Sequence, residues 1–409
     1  MVDLPEIEIT APKSSEVVKP DPSTQSGTSN VPGTQFAVPT RPADAQGPLD
    51  EATIIAGGID FKDWESVWVQ IAYTEPFPLF RFTSVERLTQ IGYYPQFMPG
   101  EQVIIKLGGA TVVNGFILTR QVAYDANRHG IELFGAGYTE PWSRSSIYNE
   151  TGNYDGMSFE QAARKAMKGF PVDLKVIGTL DATPFDKLQH QPGERLWDFM
   201  ERIARPCGVI MGSDPFGSFL AIGDHGFPVV NTNLIEGQNI KKCQYSLTMK
   251  HLYQVAQVNA QAPASDDNSG TAASQLTGKW GGTGIPGTIN ITPADQPVKT
   301  LAEVIQRAKN ESKWLEGTYL DISITVQGWY RDPVSLWWPL TNVLIDSPML
   351  PFKDVLKIHT VTFTQDSQNG TQTQIDFKLP WALNDQHADV STPMPTAPTP
   401  SQAMQPVPD

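Results

Sequence analysis

The residues best suited to bind a transition metal are scattered along this 409-residue chain. The histidines are His129, His190, His225, His251, His359 and His387. No two of them lie within five residues of each other, and neither Cys207 nor Cys243 stands at ligand spacing from one. Structural zinc sites usually take two ligands from one short segment. The spacing therefore predicts no metal ion and no cofactor, and we interpret the cysteines as buried free thiols rather than a disulfide.

The acidic residues form no recognisable pair for acid–base catalysis. Among 44 Asp and Glu residues, pairs such as Asp155 and Glu160 are always found. A glycosidase pair usually sits on separate elements, so spacing does not identify one. The sequence also contains no Gly-x-Ser-x-Gly, His-Glu-x-x-His or P-loop motif. We therefore predict no catalytic residue, and we interpret the acids as surface charges or caps of helices and turns.

Gly282, Gly284 and Gly287 match the Gly-x-Gly-x-x-Gly pattern of dinucleotide-binding turns. That turn needs a strand before it and a helix after it, because the helix N-terminus holds the pyrophosphate. Here a polar, Gly-rich stretch precedes the pattern, Pro286 lies inside it, and a β-like run follows. The pattern is interpreted as a loop, with no nucleotide cofactor.

Four of the ten tryptophans lie close together in sequence, namely Trp314, Trp329, Trp337 and Trp338. Exposed aromatic side chains form sugar-binding surfaces, but aromatic clusters are also used in cores and at subunit interfaces. We favour packing, and a glycan-binding surface remains the alternative.

Composition narrows the function classes. The formal net charge of −14 argues against a protein that grips nucleic acid through its phosphates, which requires a basic face. No stretch approaches the ~20 apolar residues of a membrane span. The acidic N-terminus has no apolar signal region, so we expect a protein kept in the cytoplasm or exported without a signal.

Two regions read as short antiparallel strands separated by turns. The first, 52–145, includes Gln102–Leu107 and 111–119 around the hairpin signal Gly108-Gly109. The second, 231–384, includes a helix over 300–316, a long strand from Tyr319 and the hairpin signal Asn369-Gly370. A Gly-rich loop is predicted at 262–290.

A small α/β module over 146–230 separates these regions. Ser158 and Gln161 predict a capping box at the start of one helix. Within 192–223, a second helix is predicted, followed by a hairpin whose turn is 214–217. The apolar face of this second helix is predicted to be Leu196, Phe199, Met200, Ile203 and Ala204. Glu194, Asp198, Glu201 and Arg205 are predicted to form its wet face.

Pro-rich segments occupy both ends of the sequence. The N-terminal arm, 1–51, and the C-terminal tail, 385–409, have the composition of disordered chain. Within the arm, Glu6-Ile7-Glu8-Ile9-Thr10 alternates like a strand that could add to a neighbour's sheet edge. The predicted fold class is therefore mainly β with α+β insertions: two antiparallel β-barrel domains joined by the small module.

Four blocks of sequence, in this order, carry a family resemblance. They are the hairpin around Gly108-Gly109, the stretch 122–147, the helix and hairpin of 192–223, and 336–383 with its Gly-Thr-x-Thr alternation at 370–373. Together they resemble the baseplate hub proteins of contractile-tailed phages, closest to the Mu-like hub, which is related to the T4-type hub and the late-control D-type tail proteins. The resemblance covers about 52–384.

The resemblance implies a non-enzymatic virion protein made late in infection. It implies barrels of the tail-tube kind, and a homotrimer whose pseudo-sixfold ring adapts the hexameric tail tube to the trimeric central spike. Its partners would be the spike, the tube or a tube initiator, the baseplate wedge and the tape measure, with DNA passing in transit during genome ejection. The implied location is the tail baseplate, after assembly in the host cytoplasm.

Two alternatives stay open. One is the hub of a tailocin or of a type VI-like secretion apparatus, in which the hub domains would be shared. The other is a tail enzyme or lectin that acts on cell-wall or capsule glycans.

Overall fold

A computed structural model describes residues 38–45, 47–85, 97–124, 129–148, 151–223, 226–261, 276–294, 300–350 and 354–379. Both predicted tails fall largely outside this part of the chain, as do the first half of the predicted Gly-rich loop and the Glu6–Thr10 alternation. The last residues of the predicted arm are described, and they are paired: Thr40 bridges Ser335, and the Arg41 N–H donates to the Val334 carbonyl at 2.9 Å. This part of the arm packs on the second β region.

The first β region contributes seven strands: β1 Ala52–Ala56, β2 Ile59–Phe61, β3 Ser66–Ala72, β4 Leu79–Val85, β5 Gln102–Leu107, β6 Ala110–Tyr124 and β7 His129–Gly137. They are β strands because apolar residues alternate, as in β5, where every second side chain is buried. The expected hairpin at Gly108-Gly109 joins β5 to β6, with positive φ at both glycines. Strand β6 is long and continues to Tyr124, so that Val122–Tyr124 forms its last part.

The second β region adds β11 Leu234–Ile235, β12 Lys242–Leu247, β16 Leu320–Gln327, β17 Asn342–Asp346, β18 Asp354–Asp366 and β19 Gly370–Lys378. Both regions belong to one sheet of 13 strands, whose main path is β12-β16-β19-β18-β3-β4-β7-β6-β5-β1-β2. The junction is the antiparallel pair of β18 with β3, in which Phe363 lies opposite Val69. Among the described residues no further strand pair closes either half into a barrel.

The module between the regions has its own sheet of three strands, which are β8 Leu174–Ile177, β9 Ile210–Ser213 and β10 Phe219–Ile222. Their order in the sheet is β8-β10-β9. Helix α1, Glu140–Ser143, precedes it, and helices α2, Phe159–Ala166, and α3, Leu196–Ala204, pack on it. The capping box of Ser158 and Gln161 is formed, and all five residues of the predicted apolar face of α3 are buried.

The prediction of a Gly-rich loop is wrong for most of 276–290, because two strands of a second three-stranded sheet lie there. Its strands are β13 Tyr253–Ala260, β14 Leu276–Gly281 and β15 Ile285–Pro293, so 276–293 is mostly strand. Helix α4, Leu301–Glu316, follows and packs Val304 and Ala308 on β13. Sequence analysis found the β-like run after Gly287, but it missed β14 and the start of β15, where glycines and small polar residues are frequent and β propensity depends on packing against neighbours.

Candidate functional site

The histidines of the described residues do not come together. The His359 Nε2 lies 3.1 Å from the Thr74 hydroxyl, and its Nδ1 lies 2.7 Å from the Thr360 hydroxyl. Burial, together with the positive charge of Lys378, lowers the pKa of His359 to about 4. His359 is therefore a neutral packing residue. His190 lies against the Tyr154 ring, with 6.0 Å between the ring centroids.

The remaining metal-type ligands are equally separate. His251 is exposed, His225 and His387 lie outside the described residues, and only the backbone of His129 is described. Across the described ranges, no three His, Cys, Asp or Glu side chains group closely enough to hold a metal ion. In the same ranges, no helix has the length and apolar character needed to cross a membrane.

Both cysteines are free thiols, but only one is shielded from solvent. Burial, with a contribution from the negative charge of Asp181, raises the pKa of Cys207 to about 12. A thiol with so high a pKa is a poor nucleophile at neutral pH. Cys243 is exposed on β12, so the prediction of two buried thiols is wrong for this residue.

The acidic pair named from the sequence has structural roles. Asp155 accepts a hydrogen bond from the Leu188 N–H at 2.8 Å and pairs with Lys187 at 3.1 Å. These contacts, led by the hydrogen bond from Leu188, lower the pKa of Asp155. Glu160 pairs with Arg164 on the next turn of α2 at 2.9 Å. Neither carboxylate has the surroundings of a general acid.

The glycine pattern is a crossover rather than a nucleotide site. The segment between β14 and β15 passes over the start of β13, where the Gly284 N–H donates to the Tyr253 carbonyl at 3.1 Å. A Cβ at Gly282 or Gly284 would lie within 2.4 Å of the Tyr253 backbone. The absence of a Cβ therefore permits the close crossing, and a strand follows instead of the helix that binds a pyrophosphate.

The tryptophan cluster is mostly core. Trp329, Trp337 and Trp338 are buried in the main hydrophobic core, which confirms the packing interpretation for these three. Trp314 differs, because it is 51% exposed on α4.

Hairpin β9–β10 anchors the module to the main sheet. A Cβ at Gly212 would lie 1.6 Å from the Tyr73 carbonyl oxygen, so the two backbones touch there. The Pro215 carbonyl, in the predicted turn, accepts from the Asn114 N–H at 2.8 Å. The Asp214 carboxylate shapes that turn by accepting from the Phe216 and Ser218 N–H groups. The turn is thus both a local structure and a docking point.

Ion pairs hold α3 in place. Glu194 lies before the helix and not on its wet face: its carboxylate is 9% exposed and pairs with Arg202 through two hydrogen bonds of 2.8 and 2.9 Å. Glu201 pairs with Arg205 at 2.7 Å in a more exposed position. Sequence analysis did not predict the Glu194–Arg202 pair, because these residues lie eight positions apart and helix neighbours lie three or four apart.

A cleft of about 250 Å³ lies between α3, β9 and α4. Its walls include Trp197 and Glu201 from α3, and Arg307 and Trp314 from α4. Arg307 pairs with Glu311 at 2.7 Å. At this volume the cleft is smaller than most ligand pockets, and the carboxylates that line it, Glu201 and Glu311, pair with Arg205 and Arg307. Glu201, on the wet face of α3, thus lines a cleft whose opposite wall is α4 of the same chain, while Asp198 is exposed.

Strand β12 forms one end of the main sheet and is exposed at all six residues. Cys243, Tyr245 and Leu247 share a face with three buried side chains on the paired strand β16, which are Leu320, Ile322 and Ile324. In the described part of the chain, β12 has no strand on its other side. The apolar face of the sheet thus runs out to an open edge, a site suited to assembly.

One stretch of the chain matches a known protein family. Residues 143–223 match the model of the "Baseplate hub protein gp44-like, second domain" family. This match covers the module, including α3 and the anchored hairpin. Among curated proteins, no sequence matches the chain closely enough to indicate a relative.

Solved structures show the same fold over most of the chain. The 43 kDa tail protein of prophage MuSo2 from Shewanella oneidensis has a TM-score of 0.70 and 21% identity, covering 81% of this chain and 99% of its own. The tail protein from Neisseria meningitidis MC58 has a TM-score of 0.66 and 18% identity, covering 82% and 98%. The prophage tail protein gp18 from Listeria monocytogenes EGD-e has a TM-score of 0.50 and 9% identity, covering 80% and 94%.

Proposed function

We propose that this chain, which has the fold of prophage tail proteins and whose residues 143–223 match a baseplate-hub second domain, is a structural hub of a contractile-tail baseplate. The Mu-like hub resemblance of its sequence is confirmed at the level of this match and this fold, and the divisions 52–145, 146–230 and 231–384 are proposed as its working domains. The single observation that supports this most strongly is the hub module itself, anchored by hairpin β9–β10 to a sheet shared by both β regions.

The proposed mechanism is assembly. Three copies form a ring in which the two β regions of each copy occupy six similar positions, matching a hexameric tube on one side and a trimeric spike on the other. Closed symmetry of this kind covers sheet edges that a single chain leaves open. The wedge and tape-measure proteins would be further partners.

The ring would enclose a channel through which the tape measure and then DNA pass. The net charge of −14 supports this role, because an acidic wall repels phosphates and lets DNA pass without binding. The protein would then act in the virion tail and without catalysis.

The mass of the full chain in solution tests the proposal, measured by light scattering alone and with the purified spike protein. We expect three times the 45.0 kDa of one chain, and a complex with one spike trimer. A strict monomer that does not bind the spike would contradict the hub. A peptidoglycan zymogram and a glycan-binding screen test the tail enzyme or lectin, and activity in either would favour it.

A further inference from the structure

The open edge of β12 has the chemical pattern of a strand acceptor. Its apolar face carries Cys243, Tyr245 and Leu247, of which the tyrosine is 38% and the leucine 40% exposed. Its opposite face carries Lys242, Gln244 and Ser246. An added strand would need apolar side chains on one face and polar, preferably acidic, side chains on the other near Lys242.

One segment of this chain has that pattern. In Glu6–Thr10, Ile7 and Ile9 fall on one face of an extended strand, and both glutamates fall on the other. With its isoleucines beside Tyr245, the segment places Glu6 and Glu8 on the side of Lys242. The acidic Asp321 of β16 lies on this polar face too, opposite Ser246 at the far end of β12 from Lys242.

The path of the chain brings the arm to this part of the molecule. The first described residues dock on Val334 and Ser335. The segment holding these two residues continues directly from β16, whose last residue, Gln327, accepts a hydrogen bond from Lys241 at 3.5 Å. The 27 residues 11–37 connect the docked part to Thr10. A flexible linker of that length would span on the order of 30 Å on average.

We infer that Glu6–Thr10 adds as a strand to the open edge of β12, in the same copy or in an adjacent one. This pairing satisfies the backbone N–H and C=O groups of the edge and covers the exposed face of Tyr245 and Leu247. Strand β15 is the competing acceptor, since Ile285, Ile289 and Ile291 are exposed on it. It carries no basic residue, and Pro286 and Pro293 remove N–H donors from it.

Disulfide cross-linking to the native Cys243 tests whether the segment pairs with β12 and which face of the segment lies beside Cys243. Side chains directly opposite in paired strands have Cβ atoms about 4.5–5.5 Å apart, close to the distance a disulfide needs. Under mild oxidation of the full chain, we expect I7C or I9C to cross-link to Cys243 at least tenfold faster than the matched control E8C, whose side chain points to the other face. Cys207, with a pKa of about 12, competes poorly.

Equal rates of cross-linking to Cys243 for I7C, I9C and E8C, or no cross-link in any of them, would overturn the pairing. Faster cross-linking of I7C or I9C to a cysteine introduced by I289C than to Cys243 would also overturn it. Loss of the cross-link in C243S is the required control. A product within one chain and a product between two chains both support it, and gel mobility tells which copy supplies the arm.

Hydrogen exchange distinguishes whether the arm or a second copy of the chain covers the open edge of β12. Deleting residues 1–10 should speed exchange at 242–247 at least tenfold while other strands stay unchanged. If these amides stay equally protected in the deletion variant at the same oligomeric state, another copy covers the edge and the inference fails. The inferred pairing of Glu6–Thr10 with β12 does not depend on the proposed hub. A monomer with a cross-link within one chain would support the pairing and contradict the trimeric hub.

Discussion

At the scale of single residues, polar groups here serve structure. His359 is kept neutral between two hydroxyls, the Glu194–Arg202 pair fixes the entry of α3, and Asp214 shapes a turn. Each of these side chains belongs to a type that catalytic sites use. They contact backbone amides, threonine hydroxyls or an oppositely charged side chain, and they do not contact one another. No reactive group of side chains therefore forms in the described residues.

His359 predicts a pH dependence of stability. Its pKa is lowered to about 4 in the folded protein, against about 6.5 in an unfolded chain. Between these values the unfolded state binds the proton and the folded state does not, so stability falls as pH drops from 6.5 towards 4. The loss reaches at most about 3 kcal/mol, from the free energy that corresponds to one pKa unit.

Urea unfolding at pH 7.5 and pH 4.5 measures the effect. We expect H359Q to flatten the pH dependence below pH 6.5 relative to the parent protein. The matched control H251Q, at an exposed histidine, should leave it unchanged. An equal slope in H359Q and the parent would show that other groups cause the acid sensitivity.

At the scale of elements, hairpin β9–β10 connects the module to the main sheet, and α3 helps to build the module's own core. The apolar face of α3 packs inside the module, and the hairpin backbone touches Tyr73, the residue that follows β3 of the main sheet. Local packing and docking can therefore be tested at different positions.

Phe199 tests the packing of α3. Its ring is fully buried, 4.8 Å from the Tyr154 ring between centroids. F199A should lower the free energy of unfolding by about 3–5 kcal/mol, because it removes a buried ring and leaves a cavity. F199D should give insoluble protein, because a carboxylate would be buried without a partner. The matched control is D198A, at an exposed position of the same helix. Chemical denaturation measures the free energy of unfolding of both variants. A value for F199A within about 1 kcal/mol of that for D198A, or a soluble and stable F199D, would count against the packing.

Gly212 tests the docking of the hairpin. An added methyl would collide with the Tyr73 carbonyl at 1.6 Å, so G212A should separate the backbones and lower the thermal midpoint by several degrees. G281A is the matched control, since a Cβ at that strand glycine meets nothing within 4 Å. Similar midpoints for the two variants would contradict the close contact.

At the scale of the whole molecule, the β18–β3 pair makes one sheet from two distant parts of the sequence. Seven residue pairs join these strands, from Thr360 with Ala72 to Asp366 with Ser66. Strands in the middle of a cooperative sheet open only when the whole sheet unfolds.

Native-state hydrogen exchange should therefore give β3 and β18 the same, slowest exchange, with one opening free energy for both β regions. Two separate values, one for 52–145 and one for 354–379, would show that the regions unfold independently. Among the edge strands, β2 offers a comparison because it is only three residues long and should exchange fast.

The sequence by itself determined most elements and the family that the chain resembles. Strict alternation located β5 and β19, capping residues located α2, and Asn369-Gly370 located the last hairpin, because these signals act between residues close in sequence. The absence of ligand-spaced histidines likewise argued against metal chemistry from local spacing alone. The family resemblance followed from the order of such local blocks.

Only the tertiary structure decided how these elements combine. The union of two β regions through β18 and β3, the strands hidden in the Gly-rich segment and the burial of Glu194 all depend on partners far along the chain. Local patterns specify which face of a strand is apolar but not which strand will cover it. For that reason the exposed face of β12, covered by nothing in the described residues, could be found only in the folded molecule.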